Sequence, residues 1–282
     1  MGSSDRTSID AEREGASADS PVREAARLLA RAQSVVFLTG AGISTESGIP
    51  DFRSPGGLWT RYDPRKLTFD LFCAHESTRR DYWKLATESY PVLRRAEPNA
   101  AHRAIVAVER AGKLSCLVTQ NIDGLHCRAG SSRERVIEIH GSSLAASCIE
   151  CGAAHDREQI HEDLVRQLAE AGEDGEIAVP YCDRCGGPVK PATVSFGQAM
   201  PVAETERAFA AASACDLFIV VGSSLVVYPA AGLPEVAVRA GAPLVIVNNE
   251  ETPLDRLADV VLRGSAGESM SLLVRAAGIR FP

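Results

Sequence analysis

Short, nearly unbroken apolar runs recur along the chain: Val35-Val36-Phe37-Leu38, Cys116-Leu117-Val118, Val136-Ile137-Glu138-Ile139, Leu217-Phe218-Ile219-Val220-Val221, Leu244-Val245-Ile246-Val247 and Val260-Val261-Leu262. Runs of this length, rich in β-branched residues, predict strands covered on both faces, and the helical patterns between them predict crossover connections. The expected fold is α/β, a doubly wound parallel sheet. Ser20-Pro21 has the form of a helix start, and Val22, Ala25, Leu29 and Ala32 recur at helical spacing, which predicts a helix over 21–33. Residues 1–20 carry almost no large apolar side chains, cannot offset the entropy of ordering, and are expected to form a disordered tail.

Two stretches break the strand and helix rhythm. Residues 57–110 show helical patterns around His75–Ser89 and Ala100–Ala111 and are expected to form a helical cover over the sheet. Residues 141–190 hold two cysteine pairs, a polar helical segment over Arg157–Ala171 and a glycine-rich turn at Gly172–Gly175. This stretch is expected to be an inserted, smaller zinc-binding module. Residues 21–56, 111–140 and 191–282 are left for the main sheet domain.

With 45% hydrophobic residues over 282 positions, the chain can bury a large core. Its net charge of -7 gives it no overall attraction to nucleic acid or anionic membrane, so no direct nucleic-acid partner is expected. No apolar run approaches the roughly 20 residues that span a bilayer, and the N-terminus lacks a basic-then-apolar export pattern. The expectation is a cytoplasmic protein with no membrane partner. Its eight cysteines are then expected to stay reduced. Four of them form Cys148-x-x-Cys151 and Cys182-x-x-Cys185, a ligand set for one closed, structural zinc ion. The intervening residues 152–181 exceed the roughly 15–20 of a simple zinc ribbon, but a longer loop adds little closure cost. Cys73, Cys116, Cys127 and Cys215 are expected to be buried small hydrophobes.

The first predicted strand runs into Gly40-Ala41-Gly42-Ile43-Ser44, a glycine turn of the kind that brings backbone N–H groups to a dinucleotide pyrophosphate in Rossmann-like folds. The third glycine of the redox fingerprint would fall at Thr45, which disfavours a hydride-transferring dehydrogenase. Beyond it, Ser44-Thr45-Glu46-Ser47-Gly48-Ile49-Pro50-Asp51-Phe52-Arg53 adds a carboxylate, an aromatic plane and a guanidinium. Thr119-Gln120-Asn121-Ile122-Asp123-Gly124-Leu125-His126 follows the second strand, at what should be its ligand-binding carboxyl end. Here Gln120 and Asn121 offer amides for ribose hydroxyls, and Asp123 offers an acceptor for a carboxamide. His140 closes the third predicted strand, and an imidazole with an unperturbed pKa of about 6.5 can take a proton from a hydroxyl at neutral pH. His126 is expected to pack the following helix.

In this order, the strings over 40–53, 119–126 and 140–141 and the cysteine pairs resemble the sirtuin family, over roughly residues 22–282. The resemblance implies an NAD-dependent protein-lysine deacylase that consumes NAD and releases nicotinamide, deacylated lysine and O-acyl-ADP-ribose. It assigns His140, Asn121 and Asp123 to catalysis, with His140 as the base that acts on a ribose hydroxyl. It assigns Gly40, Ala41, Gly42, Ser44, Thr45, Asp51, Phe52, Arg53, Gln120, Asn121, Ile122 and Asp123 to NAD. Ala41, Thr45, Phe52 and Arg53 are the part of this set that closes over the nicotinamide ribose. Gly222-Ser223-Ser224 and Asn248-Asn249-Glu250, each after a strand, are similar to the family's adenosine-side loops. Val194, Phe196 and Gly197, with Val226, resemble the segments that pair with the substrate backbone as an added strand. Gln198 stands where the family commonly has Glu.

Sirtuins that favour acidic acyl groups carry a Tyr-x-x-Arg pair in the cover region. Tyr62-Asp63-Pro64-Arg65 has that spelling but follows Gly57-Leu58-Trp59 too closely, and Tyr82 and Tyr90 are followed three residues later by Leu85 and Leu93. Acetyl or another uncharged acyl group is therefore expected. The rival readings are mono-ADP-ribosyl transfer from the same activated ribose and a non-catalytic NAD-sensing zinc module.

Overall fold

The computed structural model describes residues 21–51, 62–171 and 176–282. In chain order the first half contains α1 (residues 21–31), β1 (Val35–Thr39), α2 (Phe69–Ala74), α3 (Glu76–Arg95), α4 (Ala100–Arg110), β2 (Leu114–Thr119), α5 (Leu125–Ala129) and β3 (Val136–Glu138). There follow β4 (Gly141–Cys148), β5 (Ala154–His155), α6 (Arg157–Ala171), β6 (Val189–Thr193), α7 (Val202–Ala214), β7 (Leu217–Val221), α8 (Leu233–Arg239), β8 (Leu244–Val247), β9 (Val260–Leu262) and α9 (Ala266–Ala276).

All six apolar runs become strands of one parallel sheet, ordered β3-β2-β1-β7-β8-β9. The lack of alternation has a direct cause. Val35 and Phe37 of β1 enter a core formed with α1, α4 and α9, where Leu29, Ile105, Val108, Met270 and Leu273 are buried. Val36 and Leu38 face the opposite way, into a core with Ala208 and Ala212 of α7 and Leu233 and Ala237 of α8. Both faces of each central strand are dry, so every position must be apolar. α4 lies on the sheet itself, between β1 and β2 in sequence, and α1 ends at residue 31, earlier than its apolar spacing predicts.

The order reverses at β1, whose two neighbours are β2 and β7. Register makes this edge coherent: Thr39 is level with Thr119 and Val221, and Val221 with Val247. The loops that leave β1, β2, β7 and β8 therefore emerge side by side, at the switch point where open α/β sheets bind ligands.

A second, antiparallel sheet, β5-β4-β6, carries the cysteine pairs. Its core gathers Ala146, Cys148, Leu164, Ile177, Val179, Cys182 and Val189 around Trp83 of α3. Trp83 also donates its indole N–H to the carbonyl of Val189 (3.1 Å). No described helix is long and apolar enough to cross a membrane. The glycine-rich turn expected at 172–175 and the tail expected over 1–20 lie outside the described residues.

Candidate functional site

The loops after β1 and β7 cross backbone against backbone. Gly42 N–H donates to Gly222 O (2.9 Å) and Gly40 N–H to Val221 O (3.1 Å). A Cβ on Gly222 would stand 2.2 Å from the Ile43 nitrogen, and Gly222 holds φ +63°, so both space and backbone angle demand glycine there. A Cβ on Gly42 would meet the Gly222 Cα at 2.8 Å. The glycines of the first motif thus admit a neighbouring loop as well as a ligand.

Beside this crossing lies a cleft of about 470 Å³, within the roughly 300–1,000 Å³ typical of small-ligand sites. One end is walled by Gly40, Ala41, Gly42, Thr45 and Asp51, by Gly222, Ser223 and Ser224, and by Asn248, Asn249 and Glu250. Gln120, Asn121, Ile122 and His140 line its middle. At the other end stand Val194, Phe196 and Gly197, with Tyr82 and Leu85 of α3. Eighteen of the expected residues thus meet in one cleft without any single element to unite them; the common strand edge does so.

Five expected residues are placed differently or fall outside this description. Ser44 and Asp123 are buried behind the cleft wall (1% and 4% exposed) rather than lining it. Val226 points to solvent and does not line the cleft. Phe52 and Arg53 lie outside the described residues.

Behind the wall, hydrogen bonds converge on Asp123. Asn121 Nδ2 donates to Ser44 Oγ (3.0 Å), Ser44 Oγ donates to Asp123 Oδ2 (2.7 Å), and Asp123 Oδ1 accepts from the Leu125 N–H (2.9 Å). Burial raises the Asp123 carboxyl above its ordinary range, opposed by these donors. Gln120 Nε2 donates to Ser223 Oγ (2.8 Å), which ties the β2 loop to the β7 loop.

His140 Nδ1 lies 3.1 Å from the Gln120 carbonyl oxygen. A carbonyl only accepts, so Nδ1 carries the proton and Nε2 keeps its lone pair. Burial lowers the His140 pKa, with the Gln120 bond opposing it, so the imidazole is neutral at pH 7. His126 is fully enclosed, bonds through Nε2 to Thr39 Oγ1 (2.9 Å), and packs against His102 at 4.8 Å between centroids. It holds the sheet edge from behind.

Gln198 accepts the Ser195 N–H through Oε1 (3.0 Å), capping the turn that presents Phe196 and Gly197. An amide oxygen fills that place as a carboxylate oxygen would. Tyr62 donates to Glu88, and Arg65 is held by Asp63, so neither member of this pair enters the cleft.

The four paired cysteines converge, all Sγ atoms lying within 4.8 Å of one another. Zn–S bonds of 2.3 Å in a tetrahedron put sulfurs about 3.8 Å apart. Cys148 and Cys185 stand at 3.5 Å and Cys151 and Cys182 at 3.7 Å, so this donor set fits a closed zinc site. Backbone N–H groups of Cys151 and Glu150 lower the Cys148 thiol, while the crowding of Cys151, Cys148 and Cys182 raises that of Cys185, as expected where four sulfurs converge. His155 and His161 do not join the cluster. Among the remaining cysteines, Cys116 and Cys215 are buried as expected, Cys127 is half-buried, and Cys73 is exposed because it closes the short α2 at the surface.

Leu67, Ala86, Ser89, Met200, Gly264 and Ala266 also line the cleft and carry no motif. For α3 a signal existed: Tyr82, Leu85, Ala86 and Ser89 recur at helical spacing on one face.

The comparisons agree with this geometry. Residues 40–229 match the model of the Sir2 family. The chain is 46% identical to "NAD-dependent protein deacetylase 1" of Bradyrhizobium diazoefficiens, over 88% of this chain and 92% of the relative. It is 44% identical to "NAD-dependent protein deacylase 2" of Archaeoglobus fulgidus, over 90% and 94%. Among solved structures, a Sir2–p53 peptide–NAD+ complex superposes with a TM-score of 0.76 at 38% identity, covering 90% of this chain and 97% of that one. A Sir2 homologue–NAD complex gives 0.77 at 38% identity, covering 90% and 92%. With a family model spanning most of the sequence and relatives this similar along nearly their whole length, the chain belongs to the Sir2 family, the sirtuins.

Proposed function

We propose that the protein is an NAD-dependent protein-lysine deacylase, with deacetylation favoured, that releases nicotinamide, deacylated lysine and O-acyl-ADP-ribose. The observation that carries this reading is a neutral, partly buried His140, with Nε2 free to accept a proton, standing midway between a glycine-lined dinucleotide end and an apolar end beside an open backbone segment.

NAD, when bound, supplies an electrophilic ribose carbon with nicotinamide as leaving group. The chain's own residues do the rest. His140 Nε2 accepts the proton of a ribose hydroxyl, while its Nδ1–H stays fixed on Gln120 O. Asn121 and Asp123, locked through Ser44, hold the amide and carboxyl that orient the nicotinamide side. Ala41, Thr45, Phe52 and Arg53 are assigned to the nicotinamide ribose, Asp51 to NAD, and Gly222–Ser224 with Asn248–Glu250 to the adenosine side. Val194, Phe196, Gly197 and Val226 flank the acyl-lysine peptide of a protein substrate; the outward Val226 suits a partner that lies across the surface. Leu67, Leu85 and Ala86 provide an uncharged wall for the acyl chain. Cys148, Cys151, Cys182 and Cys185 hold one structural zinc. In this reading the parallel sheet, with α4, is the NAD-binding domain, and 141–190 is the zinc module. Eight cysteines with no disulfide among them suit a reducing, cytoplasmic location.

The test is incubation with NAD and acetyl-, longer-acyl- and succinyl-lysine peptides, followed by mass spectrometry, with His140→Ala alongside. Expected are free lysine and O-acyl-ADP-ribose, lost in the variant, with uncharged acyl groups preferred over succinyl. ADP-ribose attached to protein, with every acyl group intact, would make mono-ADP-ribosyl transfer the correct reading. NAD binding without any product would leave a sensing module.

A further inference from the structure

Arg157 is the first residue of α6, in the zinc module, and is 3% exposed. Two features make this an expensive place for a guanidinium. Cations are disfavoured at helix N-termini, where the macrodipole is positive. The charge is also buried with no carboxylate bonded to it among the described residues, and its Nε and Nη1 find no hydrogen-bond partner there. What the side chain does touch is α3. Its Cζ sits 4.1 Å from the Tyr90 ring centroid and 5.2 Å from that of Trp83, and Nη2 donates to the carbonyl of Ala86 (2.9 Å).

That segment of α3 is intrinsically weak. Pro91 lies inside the helix, has no N–H to donate, and so leaves the carbonyl of Thr87 without its helical partner. Thr87 Oγ1, buried in the same turn, is also unpartnered among the described residues. Yet this turn must be well placed, because Leu85, Ala86 and Ser89 line the far end of the cleft. We propose that Arg157 is a positioning residue that splints the Pro91-weakened turn of α3, so that the zinc module sets the shape of the acyl end and, through it, acyl-chain preference. The inference rests on the deacylase reading given above.

The experiment uses the full-length, zinc-loaded protein and compares wild type with Arg157→Met, Arg157→Lys and Tyr90→Leu. KM and kcat are measured for acetyl- and butyryl-lysine peptides, NAD Kd by calorimetry, and zinc by metal analysis. Loss of one charge-assisted hydrogen bond corresponds to about a tenfold effect. Arg157→Met should therefore raise peptide KM about tenfold and change the acetyl-to-butyryl ratio of kcat/KM by about fivefold or more, with NAD Kd within about twofold of wild type. Arg157→Lys keeps a cation over the rings without the planar fork and should recover part of the loss. Tyr90→Leu, which leaves Ala86 untouched, should shift the ratio in the same direction, and with Arg157→Lys it decides the matter if Arg157→Met does not fold. An unchanged ratio in zinc-replete variants overturns the proposal, as does an equal loss of NAD binding and peptide binding, which would mark a merely structural role. A wild type that deacylates neither peptide would instead overturn the deacylase reading itself.

Discussion

Gly222→Ala tests the backbone crossing on which the cleft is built. Two costs arise at this position. Left-handed backbone costs a residue with a Cβ roughly 1–2 kcal/mol, and Gly222 holds φ +63°. The added methyl would also stand 2.2 Å from the Ile43 nitrogen and 2.5 Å from the Gly42 carbonyl carbon, both backbone atoms that cannot rotate away. Overpacking of this kind adds about 1–3 kcal/mol. Gly241 separates the two costs, since it holds φ +94° with nothing within 4 Å of its would-be Cβ. Gly241→Ala should thus destabilise by roughly 1–2 kcal/mol and Gly222→Ala by about 2–5 kcal/mol. In thermal denaturation each kcal/mol corresponds to about 2–4 °C for a chain near this size. Because relief of the clash must move the loop that carries Ser223 and Ser224, NAD Kd should rise about tenfold or more in Gly222→Ala and stay unchanged in Gly241→Ala. Equal melting temperatures and equal NAD affinities for the two variants would refute the reasoning.

Three other outcomes are expected. Ser44→Ala removes the hydroxyl between Asn121 and Asp123 and strands a buried carboxyl, so kcat/KM should fall about 10–100-fold while circular dichroism stays native; wild-type kinetics would contradict the network. For pH, His140 must be neutral to accept a proton and burial lowers its pKa, so the acidic limb of kcat/KM should fall below the unperturbed value of about 6.5; a limb centred above 7 would show that another group controls it. Metal analysis should find one zinc per chain, and Cys182→Ser or chelation should lower the melting temperature and abolish deacylation, because the thiolates close the core around Trp83; full activity in metal-free protein would rule out the zinc assignment.

The sheet was legible because burial on both faces leaves a signature that needs no partner to interpret. Val35–Thr39, Leu217–Val221 and Leu244–Val247 are apolar at nearly every position, and only strands covered on two sides require that. The cysteine pairs were legible for a similar reason, since two C-x2-C elements bring four thiols and tolerate a long intervening loop. α4 was harder to place. Its pattern is that of any amphipathic helix, and whether its apolar face meets the sheet or the cover depends on the path of the residues before it. Cys73, expected to be buried, is exposed for a related reason: composition reports what a side chain favours, while exposure depends on what remains uncovered.

The sequence by itself determined the strands, the strings that follow them, the two cysteine pairs and the family. These are local properties, written in runs of consecutive residues. Tertiary structure alone decided that Thr39, Thr119, Val221 and Val247 end level, that Ser44 joins Asn121 to Asp123 behind the cleft, and that Arg157 reaches Ala86 of α3. Each of these relations couples residues far apart in the chain through strand register or close packing, and no local pattern of residues encodes such distances.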